Sequence, residues 1–241
     1  MIKFFKTIRR KILAEGKFRK YMLYAIGEIA LVVIGILLAL SINEWNQNIK
    51  NLEKTEIYLE RIVADIALDT TTMKTYIESQ KQQEQRFENY FKFIKQGNVT
   101  LEQLKDTLDR FQTFTGFVEF TSTTYDQLVA SGNFELIDED KRIAIINYYK
   151  FCNVFMERVA SFENSMKNES VEASKYLDIE STDYEFFKAI NQMPSVSFIS
   201  QGLKHRHNRI GLGQKKWNLI KILNKTYMEV AQSTIQSLKH E

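Results

Sequence analysis

Chain breakers and reactive side chains are scarce in this sequence. Its 241 residues hold one proline, one cysteine, three histidines and nine glycines. So few prolines and glycines disfavour a turn-rich β fold and favour long helices. A single cysteine excludes an intrachain disulfide. His205 and His207 are two apart, so they point to different sides of a helix, whereas helical zinc pairs need a spacing of three or four. The stretch KHRHNR around them reads as a solvated basic segment. No phosphate-binding glycine loop, nucleophile elbow, HExxH or EF-hand is present. The expectation is a protein that is not an enzyme and takes no cofactor. The motif Asn-x-Ser/Thr occurs at Asn98, Asn168 and Asn224.

What is present is a charge asymmetry and a long apolar run. Charged residues make up 26% and apolar ones 44%, too balanced for a disordered chain. The net charge of +3 divides unevenly. Residues 1–20 carry Lys3, Lys6, Arg9, Arg10, Lys11, Lys17, Arg19 and Lys20 against Glu15 alone, whereas the chain from residue 43 onward has more acids than bases. The basic character therefore belongs to the N-terminal tail and does not indicate a nucleic-acid partner.

The tail leads into YMLYAIGEIALVVIGILLALSI, residues 21–42, with Glu28 as its one charge. About 20 apolar residues cross a bilayer core. The excess of bases before the run places residues 1–20 in the cytoplasm and residues 44–241 outside the inner membrane. Tyr21, Tyr24 and Trp45 suit the two interfaces. A cleaved signal peptide is the rival, with Ala39-Leu40-Ser41 as a passable cleavage site, but the run exceeds the usual apolar length of about 7–15 residues. The eight bases of the tail form a candidate membrane-surface patch. Phe5, Ile8 and Ile12 can share one face of a short amphipathic helix on anionic lipid, the plain alternative being an unordered topogenic tail.

Glu28 is the unusual residue of the run, since an acid inside a membrane normally faces protein or water. Sevenfold steps back from Ile49 reach Ile42, Gly35 and Glu28. Gly35 permits close approach of a second helix. Glu28, Gly35 and Ala39 are thus the candidate helix-association residues, and a second copy of the chain or another membrane protein is the candidate partner. The alternative is that Glu28 reaches toward cytoplasmic headgroup water.

The basic start MIKFFKTIRRKIL, the run KYMLYAIGEIALVVIGILLALSINEWN and the later TTYDQLVASGNFELIDEDKRIAIINYY together resemble an uncharacterised family of single-span membrane proteins from Bacteroidota. The resemblance implies location and architecture, and no activity, cofactor or catalytic residue.

Beyond the span, apolar residues recur at spacings of three and four. The pattern Ile49, Leu52, Glu56, Leu59, Val63, Ile66, Thr70, Met73, Ile77, Gln80, Glu84, Phe87, Phe91, Ile94 predicts one long helix, widened by Ile62, Tyr76 and Tyr90 and stopped at Gly97-Asn98. Thr100 and Gln103 form a capping box for a short helix to about residue 112. Residues 113–122 read as an extended segment or folded loop, and 123–131 as a short helix stopped by Gly132. Asp138 opens a second long helix to about residue 178, with Ile145, Tyr148, Cys152, Phe155, Val159, Phe162 and Met166 on its inner face. Cys152 is then a core residue. Residues 183–192 suggest a further short helix before Pro194. A third long helix runs to about Lys239 through Ile220, Leu223, Tyr227 and Val230, weakened in its first half by Gly211 and Gly213. Glu56 and Glu84 either line a polar pocket or lie where the face is exposed.

The expected architecture is all-α: a basic tail (1–20), one N-terminal transmembrane helix (21–43) and an elongated antiparallel helical bundle (44–241). The expected role is that of a membrane-anchored structural or interaction protein. The alternative is an extracytoplasmic ligand-binding, sensory module acting through a partner.

Overall fold

A computed structural model describes residues 18–111, 116, 119–176, 189, 191–192 and 194–239. Among them the fold is all helical, without strands. It consists of α1 (Phe18–Ser79), α2 (Lys81–Lys95), α3 (Leu101–Arg110), α4 (Thr123–Ala130), a 3₁₀ turn (Asn133–Leu136), α5 (Glu139–Ser174) and α6 (Val196–Lys239). Two compact units are present, Met1–Ile57 and Tyr58–Glu241.

The first unit contains the apolar half of α1. From Met22 to Ile49 its large apolar side chains are exposed, with Ala25 and Glu28 half-buried. An 18-residue apolar stretch of this helix, none of it buried, is long and apolar enough to cross a membrane. Arg19 and Lys20 lie in the first turn of α1. The remaining tail bases, Lys3, Lys6, Arg9, Arg10, Lys11 and Lys17, lie outside the described residues, as do Phe5, Ile8, Ile12 and most of the segment 183–192.

The second unit is a bundle of long helices. Tyr148 meets Tyr227, Glu163 meets Lys216 and Glu169 meets His205. As the α5 number rises the α6 number falls, so the two run antiparallel. Glu84 likewise meets Lys221 and Tyr90 meets His207, so α2 is also antiparallel to α6. The inner face of α5 is the one its spacing predicts: Ile145, Tyr148, Cys152, Phe155, Val159 and Met166 are buried, with Phe162 half-buried. Burying each large apolar side chain contributes roughly 1.5–3 kcal/mol.

The long first helix differs from expectation in two ways. It is interrupted at Gln80, whose N–H is shared between the carbonyls of Tyr76 and Ile77. Its buried row keeps the expected Ile66, Met73, Gln80 and Phe87 but takes, between them, the residue one position before the expected one. Ile62, Ile66, Asp69, Met73, Gln80, Gln83, Phe87 and Tyr90 are buried, with Tyr76 half-buried between them. Apolar spacing favours Thr70 and Glu84 over their neighbours because Asp69 and Gln83 are polar residues on the inner face. Gly97 and Asn98 end α2 with φ of 70° and 52°, the left-handed conformation expected of a helix stop.

Thr100 caps α3 as predicted: its Oγ1 accepts from the Gln103 N–H at 3.2 Å, and its own N–H donates to Gln103 Oε1 at 3.0 Å. Asp138 precedes α5 without a side-chain cap bond. Gly211 and Gly213 do not break α6. A Cβ built at Gly213 would lie 3.2 Å from the Phe87 ring. That glycine lets α2 and α6 approach, and packing offsets its low helix propensity of about 1 kcal/mol.

Candidate functional site

The proposed association residues Glu28, Gly35 and Ala39 share one helix. A Cβ added at Gly35 would have no neighbour within 4 Å. Ala39 is exposed and Glu28 half-buried. The rest of the bundle brings together two polar groupings that periodicity did not reveal.

The first is centred on Asp69, only 3% exposed on α1. The Thr121 N–H donates to both carboxylate oxygens, at 3.1 and 2.9 Å, and the Thr121 hydroxyl donates to Oδ1 at 2.8 Å. The Tyr148 hydroxyl donates to Oδ2 at 3.2 Å and lies 3.3 Å from the hydroxyl of Tyr227. One carboxylate thus joins α1, the segment before α4, α5 and, through Tyr148, α6. Burial raises the Asp69 pKa from its ordinary value, against the hydrogen bonds from Thr121 and Tyr148. Burial also pushes the Cys152 thiol up to about 12 and the Tyr227 hydroxyl to about 12. Cys152 is 1% exposed, the inert core cysteine its position predicted. Gly116 is held by hydrogen bonds as well. Gly116 has φ of 121°, accepts from the Tyr76 hydroxyl and donates to Glu163, each at 3.4 Å. Few residues other than glycine adopt that conformation.

The second grouping lies where α3, α5 and α6 meet, and it corrects the solvated reading of KHRHNR. Residues 205–209 are half-buried. The two histidines do point apart: His205 Nδ1 lies 2.7 Å from Glu169 on α5, and His207 Nδ1 lies 2.7 Å from the Tyr90 hydroxyl on α2. The His205 ring stacks on Tyr176. Between them Arg206 donates to Asp109 of α3 at 2.5 Å. Asp109 also accepts from Lys105 at 3.1 Å. Burial opposes ionisation of Asp109, but Arg206 and Lys105 hold its carboxyl below the usual range. Burial, then the like charge of Arg206, lower the pKa of Arg209.

Around these side chains lie a cleft of about 110 Å³ and an open groove of about 330 Å³, which share Ser170 and Arg209. Neither contains Glu56 or Glu84, the residues considered for a polar pocket. Glu56 is exposed. Glu84 pairs with Lys221, which holds its carboxyl below the usual range. Among the described residues no group of three or more His, Cys, Asp or Glu side chains is placed to hold a metal ion.

Sequence reasoning missed Asp69, Asp109, Arg206 and Arg209. For Asp69 a signal existed: it falls three after Ile66 and four before Met73. Asp109 and Arg206 lie 97 residues apart in the chain, and no local pattern links them.

The sequence profile of a family described as "Family of unknown function (DUF6090)" matches residues 28–194. No curated protein and no solved structure matches the chain.

Proposed function

The chain belongs to this family of unknown function (DUF6090), and we propose that it is a non-enzymatic, membrane-anchored interaction protein. In this reading residues 21–43 cross the inner membrane with the basic tail in the cytoplasm. Residues 44–241 project into the periplasm. Association runs through the face of Glu28, Gly35 and Ala39, with a second copy of the chain or another single-span protein.

The carrying observation is the unburied apolar stretch of α1, in which the only charged side chain is Glu28. An all-round apolar helix that its own protein does not cover needs another apolar environment. Two further features support the reading. The family match begins inside this stretch and runs through α5 to residue 194, so apolar helix and bundle helices belong to one recurrent unit. The charged side chains that face into the bundle, such as Lys216 with Glu163 and Asp69 with Thr121, hold neighbouring elements together.

Crosslinking in native membranes, followed by mass spectrometry, tests the association. The expected result is a defined crosslinked species whose pattern changes in Glu28→Leu at equal expression. An unchanged pattern would refute a contact through Glu28. The sensory alternative is favoured by one observation, the cleft and groove around Arg206 and Arg209.

A further inference from the structure

We infer that one buried water molecule belongs to this fold, held at the break between α1 and α2 and bonded to both α2 and α6. The site goes beyond the association through Glu28. It lies within the bundle, and its test is a separate one.

Two N–H donors inside the bundle have no hydrogen-bond partner in the protein, Gln83 Nε2 on α2 and Trp217 Nε1 on α6. Gln83 is 7% exposed and Trp217 5%. Lys221 first, and then Trp217, hold the Glu84 carboxyl below its usual range, but the Trp217 N–H makes no hydrogen bond with it. Leaving such donors unmet is costly, and native interiors rarely do so. Both residues line one cavity of about 10 Å³, whose wall also holds Tyr76, Gln80, Phe87 and Lys216. A space of that size takes a single water. Its position has a cause in the packing. Gly213, also in the wall, lies one turn before Trp217 on the same face of α6 and lets α2 approach. Gln80 is the residue at which the first long helix is interrupted.

Charge around the cavity selects the occupant. The cation in its wall, Lys216, is paired with Glu163, and Glu84, beside Gln83 in the chain, is paired with Lys221. With these charges matched, two N–H donors call for a neutral acceptor. Water also donates, and a buried water commonly makes about three hydrogen bonds. The side-chain oxygens of Tyr76 and Gln80, in the same wall, can take its protons. Because water both accepts and donates, it serves Gln83 whichever end of the amide turns inward. A halide ion would accept only, would add a charge, and is larger than water. The water thereby links the first turn of α2 to α6 where the two helices come close.

The test is nuclear magnetic resonance on the full, deuterated chain in micelles of uncharged detergent. Trp45 and Trp217 are the two tryptophans, so two indole N–H signals are expected, and Trp45→Phe assigns them. A water held beside an indole gives cross-peaks to the water line of opposite sign in laboratory-frame and rotating-frame experiments. Exchange of the indole proton with solvent gives the same sign in both. The expected result is the opposite-sign pair at Trp217, lost in Gln83→Met, which keeps the size of the side chain and removes the amide. Circular dichroism equal to the parent's shows that the variant is folded. The parent spectrum decides by itself between a held water and a dry cavity: no cross-peak at Trp217, or one of the same sign in both experiments, would overturn the site. A pair retained at full intensity in folded Gln83→Met would overturn the bond to α2. Replacing sodium sulfate by sodium bromide at equal ionic strength is expected to leave the pair in place. Its loss, with a saturable shift of the Trp217 signal, would overturn water in favour of a halide.

Discussion

The two units of this chain arrange polarity in opposite ways. In residues 22–49 the apolar side chains face outward on every side, and the single acid within the apolar run is among the few half-buried residues. Among the described residues from 58 to 239 most large apolar side chains face inward, but Asp69, Gln80, Gln83, Lys216 and Thr234 go in with them. The same α-helical backbone serves both, because helix hydrogen bonds are satisfied internally whatever surrounds them. What differs is the solvent each surface requires. The outward apolar surface calls for lipid or another helix. The inward polar groups need partners, as Asp69 and Lys216 have, since an unpaired buried polar group costs about 1–3 kcal/mol.

The largest effect should come from breaking the first arrangement. Val32→Arg with Leu37→Arg places two cations in the middle of the apolar run. At roughly 2.5–3.5 kcal/mol per charge near a helix centre, membrane insertion should largely fail. Carbonate extraction measures it: the parent should stay in the pellet and the double variant should be released.

The second arrangement should break next most severely at Asp69. Asp69→Asn keeps one acceptor oxygen but turns an NH₂ group toward the donors Thr121 and Tyr148, costing about 1–3 kcal/mol. Its pH dependence sharpens the prediction. Burial raises the folded pKa of Asp69 above its ordinary value of 3.8. The stabilisation linked to this proton is therefore full below about 3.8 and is lost as pH rises through the folded value. Asparagine does not titrate there. The stability advantage of the parent over Asp69→Asn should be widest at the acid end and shrink as pH rises, as paired thermal or urea unfolding curves would measure. A gap that widened with pH would mean that the hydrogen bonds outweigh burial.

How far the sequence revealed these features followed from how local they are. The inner face of α5, the capping box at Thr100 and the stop at Gly97-Asn98 are patterns within a few residues, and they appear where the spacing put them. The offset of the α1 row came from treating Asp69 and Gln83 as outward because they are polar. Gly213 read as a weakness because the Phe87 ring that fills its place lies on another helix. The pairing of Asp109 with Arg206, and with it the cleft, depends on α3 folding back against α6. No local window carries that information.

The smallest effect should come from the bundle surface. Glu84 and Lys221 form a partly exposed pair, with the Lys221 ammonium 5.8 Å from the centre of the Trp217 ring. Glu84→Gln should cost less than about 1 kcal/mol, and less still in high salt. The lowered pKa of Glu84 makes its contribution present above its ordinary value of 4.5 and lost as pH falls, opposite in sign to Asp69. Parallel titrations of unfolding for the two variants would separate the surface carboxylate from the buried one.

The most direct test of the account is cysteine-scanning crosslinking in native membranes. Single cysteines would be introduced from residue 28 to residue 42, in a chain whose own Cys152 is replaced by Ala. The account predicts crosslinking that rises and falls with the helix period and peaks at Glu28→Cys, Gly35→Cys and Ala39→Cys, whether the crosslinked species is a second copy or another protein. Crosslinking spread evenly around the helix, or none at any position, would contradict it.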